Sequence, residues 1–159
     1  MSASLAEAIL HLAMEAGATV TTAESCTGGM VAAAITDVAG SSNIFERGFV
    51  TYSNQAKVEM LGVLSATLDA HGAVSEEVAR EMATGALRAA KATVAVAISG
   101  IAGPGGSEFK PEGRVCFAIA TAQNLDSKTI EFGALGRGAV RAAARDEALS
   151  LIAAALRTK

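Results

Sequence analysis

The sequence predicts an α/β protein, with a mixed, mostly parallel sheet of about five strands covered by helices on both sides. Three observations carry this. Segments with helical spacing alternate with short β-branched runs as far as residue 98, the pattern of strands joined by crossover helices. Thr93-Val94-Ala95-Val96-Ala97-Ile98 is a nearly unbroken apolar run, as in a strand buried on both faces. Two further runs, 115–121 and 129–132, then follow with only a polar connection around Asn124-Leu125-Asp126. That breaks the alternation and makes the sheet mixed.

The elements read in order as follows. Ser4-Leu5-Ala6-Glu7 has the form of a capping box. Leu5, Ile9, Leu12 and Ala16 recur at helical spacing, and Gly17 is a natural stop. Ala18 to Ala23, with Thr19-Val20-Thr21-Thr22, has strand chemistry. Thr27-Gly28-Gly29 opens an alanine-rich helix ending near Asp37. Phe45 to Tyr52 is a second strand, and Asn54 to Leu61 a short helix carrying Lys57. Ser75 caps the next helix, with Glu76 and Glu77 suited to its dipole. The last helix runs from about Gly138 to Arg157, with Val140, Ala144, Ala148, Ile152 and Leu156 on one stripe.

Composition narrows the function. A chain of 159 residues fits one domain, taken as 1–159, large enough to bury a core. Apolar residues make up 51%, but no run reaches the roughly 18 needed to cross a bilayer. Met1-Ser2-Ala3-Ser4 opens no signal peptide, so a cytoplasmic protein without membrane contact is expected. A net charge of -3, no Trp, one Tyr and five Phe offer neither a basic face nor stacking aromatics for nucleic acid. Cys26 and Cys116 lack CxxC spacing and read as reduced thiols. His11 and His71 alone make no metal site, and no metal or cofactor is expected.

The candidate chemistry centres on Ala23-Glu24-Ser25-Cys26-Thr27-Gly28-Gly29. Ser25 falls where a strand ends and a helix begins. Open α/β sheets place ligands at that edge, and helix-start N–H groups are donors for an oxyanion. Gly28 and Gly29 would let a substrate approach the backbone. The plainer alternative is that Ser25 or Thr27 only caps the helix. No histidine lies nearby, so a neutral lysine is the candidate base. Lys57, after Tyr52-Ser53-Asn54-Gln55-Ala56, follows another strand end; alternatively it is a solvated helix lysine. Tyr52 is either a strand aromatic or a proton relay, and Glu24 either orients Lys57 or caps the strand end. Cys26 is a rival nucleophile. Ser99 to Ser107, with Gly100, Gly103, Gly105 and Gly106, is a glycine-rich loop of the kind that offers N–H groups to phosphate, though it is neither a Walker motif nor GxGxxG. Arg137, Arg141 and Arg145 recur every fourth residue, as an anion site or a solvated face with ion pairs to acids such as Asp146 and Glu147.

Four ordered segments carry a resemblance: the Ser25 segment, Tyr52-Ser53-Asn54-Gln55-Ala56-Lys57, His71-Gly72-Ala73-Val74-Ser75, and Gly100-Ile101-Ala102-Gly103-Pro104-Gly105-Gly106. Together they resemble the C-terminal domain of the competence/damage-inducible CinA proteins, a family that includes stand-alone nicotinamide-nucleotide amidohydrolases. The resemblance implies a three-layer α/β/α sandwich and a homodimer or higher homo-oligomer. It implies hydrolysis of the carboxamide of nicotinamide mononucleotide to nicotinate mononucleotide and ammonia. It implies a catalytic Ser25–Lys57 pair with Tyr52 nearby. The substrate would be held by Thr27, Gly28, Gly29, Asn54, Ser99, Gly100, Gly103, Gly105, Gly106, Arg137 and Arg141. The pyrophosphatase-like domain of two-domain relatives is not in this sequence, and its activity is not expected. The chain departs from the family pattern at Ser99, Glu112 and Arg114, and Leu135-Gly136-Arg137 stands where relatives carry Gly-Asp-Arg. The alternative expectation is a non-catalytic nucleotide-binding module serving competence or DNA repair.

Overall fold

A computed structural model describes residues 2–107 and 109–158. The strands are β1 (Val20–Glu24), β2 (Phe49–Val50), β3 (Val94–Gly100), β4 (Arg114–Ala120) and β5 (Leu125–Glu131). The helices are α1 (Ser2–Ala16), α2 (Met30–Thr36), α3 (Asn54–Leu61), α4 (Ser65–His71), α5 (Glu76–Ala90) and α6 (Arg137–Arg157). The five-stranded sheet has the order β2-β1-β3-β4-β5. β1 pairs in parallel with β2 and β3, while β4 is antiparallel to both β3 and β5. Every strand but β4 therefore points the same way.

The two faces of β3 explain the layers. Val94, Val96 and Ile98 point to one side and join Ile9, Ala13, Val31, Ile35 and the α6 stripe of Val140, Ala144, Ala148, Ile152 and Leu156. Ala95 and Ala97 point to the other and join Leu61, Val78, Met82 and Ala83 of α3 and α5. The period-2 alternation of a strand thus divides one apolar run between two cores. The helices of α1, α2 and α6 cover one face, and α3 and α5 the other.

Some boundaries differ from the sequence reading. α1 already includes Ser2, so Ser4-Leu5-Ala6-Glu7 lies within the helix and is not its capping box. The strand expected over Phe45–Tyr52 shrinks to Phe49–Val50, with an isolated bridge between Val20 and Phe45. It is an edge strand, and only those two residues find ladder partners on β1. β5 begins at Leu125 rather than Thr129, because its hairpin closes with Thr121 N–H donating to Asn124 O at 2.8 Å. Its face is largely exposed and carries charge, which is how open sheet edges are kept from pairing. α4 and a 3-10 turn at Ser41–Asn43 went unpredicted. α3 matches its expected bounds, and Ser75 caps α5 by accepting from Val78 N–H. No helix among the described residues is long and apolar enough to cross a membrane.

α3 is seated by a glycine. A Cβ on Gly85, in mid-α5, would lie 1.9 Å from Leu61 O at the end of α3, so only glycine permits this approach. Helix propensity favours alanine there by about 1 kcal/mol, but the clash is with backbone and costs more. Gly85→Ala should destabilise the protein by about 2 kcal/mol, a fall in Tm of roughly 4–8 °C. Thermal unfolding followed by circular dichroism checks this; an unchanged or higher Tm would remove Gly85 as the seat of α3.

Candidate active site

Parallel pairing brings two chain segments to one edge of the sheet. Ser25 N–H donates to Ile98 O at 2.9 Å and Thr51 N–H donates to Glu24 O at 2.8 Å. These bonds extend the ladder one residue past β1 and place Ser25 beside the chain leaving β2. Ser53 then caps α3, accepting from Ala56 N–H at 3.0 Å. α3 turns Lys57 back toward the strand ends.

Lys57 is only 1% exposed and Ser25 8%. Lys57 Nζ lies 3.1 Å from Ser25 Oγ, 3.0 Å from Thr51 O and 3.3 Å from Tyr52 O. A lysine this buried is unusual unless its head is hydrogen-bonded. Both residues open onto a cavity of about 340 Å³ whose lining includes Cys26, Tyr52, Asn54, Ser99, Arg137 and the glycine loop Gly100–Ser107. Neither histidine lines it. A larger groove of about 630 Å³, bounded by Ile119, Asp126, Leu151, Ala154 and Ala155, brings no nucleophile and base together.

Several predicted binding residues have other tasks. Glu24 is completely buried. Its carboxylate accepts from Thr27 Oγ1 (2.6 Å), Gly29 N–H (3.2 Å), Val31 N–H (3.0 Å) and Ala32 N–H (3.0 Å). It fills the positive start of α2, where an anion is favoured. Gly28 N–H donates to Ser25 O at 3.1 Å. Thr27, Gly28 and Gly29 lie outside the cavity lining, and Thr27 Oγ1, Gly28 N–H and Gly29 N–H are engaged within the protein. Arg141 is engaged likewise. Its Nε donates to Cys26 O at 3.0 Å and its Nη2 to Thr27 O at 3.3 Å, pinning the turn after Ser25 to α6. The turn is thus held by a carboxylate on its N–H groups and a guanidinium on its carbonyls. Sequence reasoning assigned neither role; a glutamate four residues before a helix-opening glycine pair was the available signal for the first.

Arg137 does face the cavity. It donates to Gly103 O at 2.8 Å and to Tyr52 Oη at 3.1 Å. Tyr52 is 61% exposed, and its carbonyl, not its hydroxyl, meets Lys57. Ser99 lines the cavity while its hydroxyl donates to Ala73 O at 2.8 Å. Asn54 lines it from the first turn of α3. Of the acids expected to pair with this arginine face, Asp146 pairs with Arg145, and Glu147 pairs with Lys128. Cys26 is buried, and burial pushes its thiol up to about 11.

Against known proteins, the CinA C-terminal domain family matches residues 2–156. The chain is 62% identical over 137 residues to the nicotinamide-nucleotide amidohydrolase PncC of Escherichia coli, covering 86% of this chain and 83% of that protein. It is 62% identical over 118 residues to a putative competence-damage inducible protein of Symbiobacterium thermophilum, covering 74% of this chain and 28% of the other. The crystal structure of the competence/damage inducible protein CihA from Agrobacterium tumefaciens superposes with a TM-score of 0.94 at 46% identity, covering 98% of this chain and 95% of that one. A CinA-superfamily protein from Klebsiella pneumoniae superposes with a TM-score of 0.95 at 37% identity, covering 100% and 99%. The α/β sandwich, the ordered motifs and these likenesses agree: the chain belongs to the CinA C-terminal domain family.

Proposed function

We propose that the protein is an amidohydrolase that converts nicotinamide mononucleotide and water to nicotinate mononucleotide and ammonia, with Ser25 as nucleophile and Lys57 as its base. The observation that carries the mechanism is the buried 3.1 Å approach of Lys57 Nζ to Ser25 Oγ. The substrate is taken from the amidohydrolase relative, which matches most of the chain.

The chemistry follows from what each atom has to spare. A neutral amine has two hydrogens and one lone pair. At rest Lys57 Nζ donates to Ser25 Oγ, Thr51 O and Tyr52 O; in the neutral amine the lone pair takes the Ser25 proton. The mechanism uses Lys57 in this neutral form. Ser25 Oγ attacks the carboxamide carbon as its proton passes to Lys57 Nζ. The tetrahedral oxyanion forms at the cavity wall beside Ser25; the Gly28 and Gly29 N–H groups are engaged by Ser25 O and Glu24. Lys57 returns the proton to the departing nitrogen and ammonia leaves. Water then attacks the ester, giving its proton to Lys57, and Ser25 is released with its hydroxyl restored. Lys57 rather than Tyr52 handles the proton, because the Tyr52 hydroxyl is bound to Arg137. Arg137 and the glycine loop hold the 5′-phosphate at the far wall, and that remote hold positions the amide. Asn54 and Ser99 complete the lining. The same reading has the enzyme acting in the cytoplasm as a homo-oligomer.

Ammonia release from the mononucleotide by the purified protein tests the activity itself; its absence ends this reading. Ser25→Ala and Lys57→Met should each lower kcat by about a thousand-fold or more, with Tm held within a few degrees. Near-normal turnover in the first would unseat the nucleophile, and in the second the base.

The cysteine rival predicts the opposite chemistry. With its thiol at about 11, Cys26 holds only about one part in ten thousand as thiolate at neutral pH. Iodoacetamide at pH 7.5 should leave both activity and the Cys26 mass unchanged, with labelling rising toward pH 11. Rapid neutral-pH labelling that tracks inactivation would return the nucleophile to Cys26.

A further inference from the structure

The glycine loop reads in sequence as a set of free amides ready for phosphate. In the structure one of those amides already holds an anion. Gly105 N–H donates to Glu112 Oε1 at 2.6 Å, the short distance of a charge-assisted bond. The Glu112 side chain also lies flat on the loop: a Cβ on Gly103 would sit 2.6 Å from its Cδ. On Gly103's carbonyl side, Arg137 donates at 2.8 Å. Gly103 therefore stands between a carboxylate and a guanidinium, and Gly103, Gly105 and Arg137 all line the Ser25 cavity.

This arrangement sets the charge that a substrate meets at the far wall. A phosphate there is drawn by Arg137 and repelled by Glu112. It gains the Gly105 amide only by displacing Glu112. An uncharged hydroxymethyl group at the same place meets neither force. The loop's amide and the protein's own carboxylate cancel, so the glycines contribute less anion affinity than their spacing suggests.

We propose that Glu112 is a specificity-determining residue: seated on the Gly105 amide, its carboxylate weakens the hold on a phosphate-bearing substrate and narrows the preference for nicotinamide mononucleotide over nicotinamide riboside. This rests on the reading that the 5′-phosphate lies at the glycine loop.

The experiment compares kcat and KM on the mononucleotide and the riboside for the wild type, Glu112→Gln and Glu112→Ala. Glutamine keeps an oxygen for Gly105 N–H and removes only the charge. KM for the mononucleotide should fall about three- to ten-fold in both variants, while kcat/KM for the riboside moves less than about two-fold. Raising salt from about 20 to about 500 mM should erase most of the gain, because exposed charges are then screened. Equal shifts on both substrates, no shift, or a shift indifferent to salt overturn the assignment. Losses on both substrates in the alanine variant alone would make Glu112 a loop brace and also overturn it. A wild type inactive on both substrates overturns this proposal together with the amidohydrolase reading; an active wild type with unshifted variants overturns this proposal alone.

Discussion

The parallel pairing of β1 with its two neighbours is the constraint on which the site rests. Parallel strands end at the same edge, so the residues following β1 and β2 leave the sheet side by side. One bond from Ser25 N–H to Ile98 O and one from Thr51 N–H to Glu24 O carry the ladder past the strands. They put a serine hydroxyl and two carbonyls within reach of one lysine. Nothing in the spacing of 32 residues between Ser25 and Lys57 would bring them together without that edge. The cap at Ser53 then decides the direction of α3, and the glycine contact at Gly85 decides how closely it lies.

Burying charge at this edge is expensive, and the fold meets the cost with dense hydrogen bonding. Glu24 is enclosed by one hydroxyl and three backbone donors. Lys57 Nζ meets the Thr51 and Tyr52 carbonyls and the Ser25 hydroxyl. The same economy shapes the two glycine-rich turns. Each looks open in sequence, and each is occupied by a carboxylate of the protein: Glu24 at the start of α2 and Glu112 at Gly105. Arg137 is left as the guanidinium facing the cavity.

The β3 run shows how one strand serves two layers. Valine and isoleucine fill the space beneath α1, α2 and α6, while alternating alanines let α5 approach the other face. The small side chains are as consequential as the large ones, because α5 is the platform on which α3, and hence Lys57, rests. Packing and chemistry are thereby joined through a glycine and two alanines that carry no functional group.

What was local was legible in the sequence. The bounds of α3, the cap at Ser75, the burial of β3 and the placing of Ser25 at a strand-to-helix junction all follow from periodicity and backbone chemistry within a few residues. The four ordered motifs added the family and the pairing of Ser25 with Lys57. Choices between partners were not legible. A short edge strand extends only where a neighbour presents bonding groups, which is why Phe45–Tyr52 shortened to Phe49–Val50. A turn rich in N–H groups and an arginine at helical spacing fit an external anion as well as an internal partner. The sequence by itself determined the alternation of elements, the hydroxyl and amine that meet at the sheet edge, and the presence of donors. Tertiary structure alone decided that Glu24, Arg141 and Glu112 occupy groups that looked open to substrate, because a donor is claimed by whichever acceptor long-range packing brings within about 3 Å.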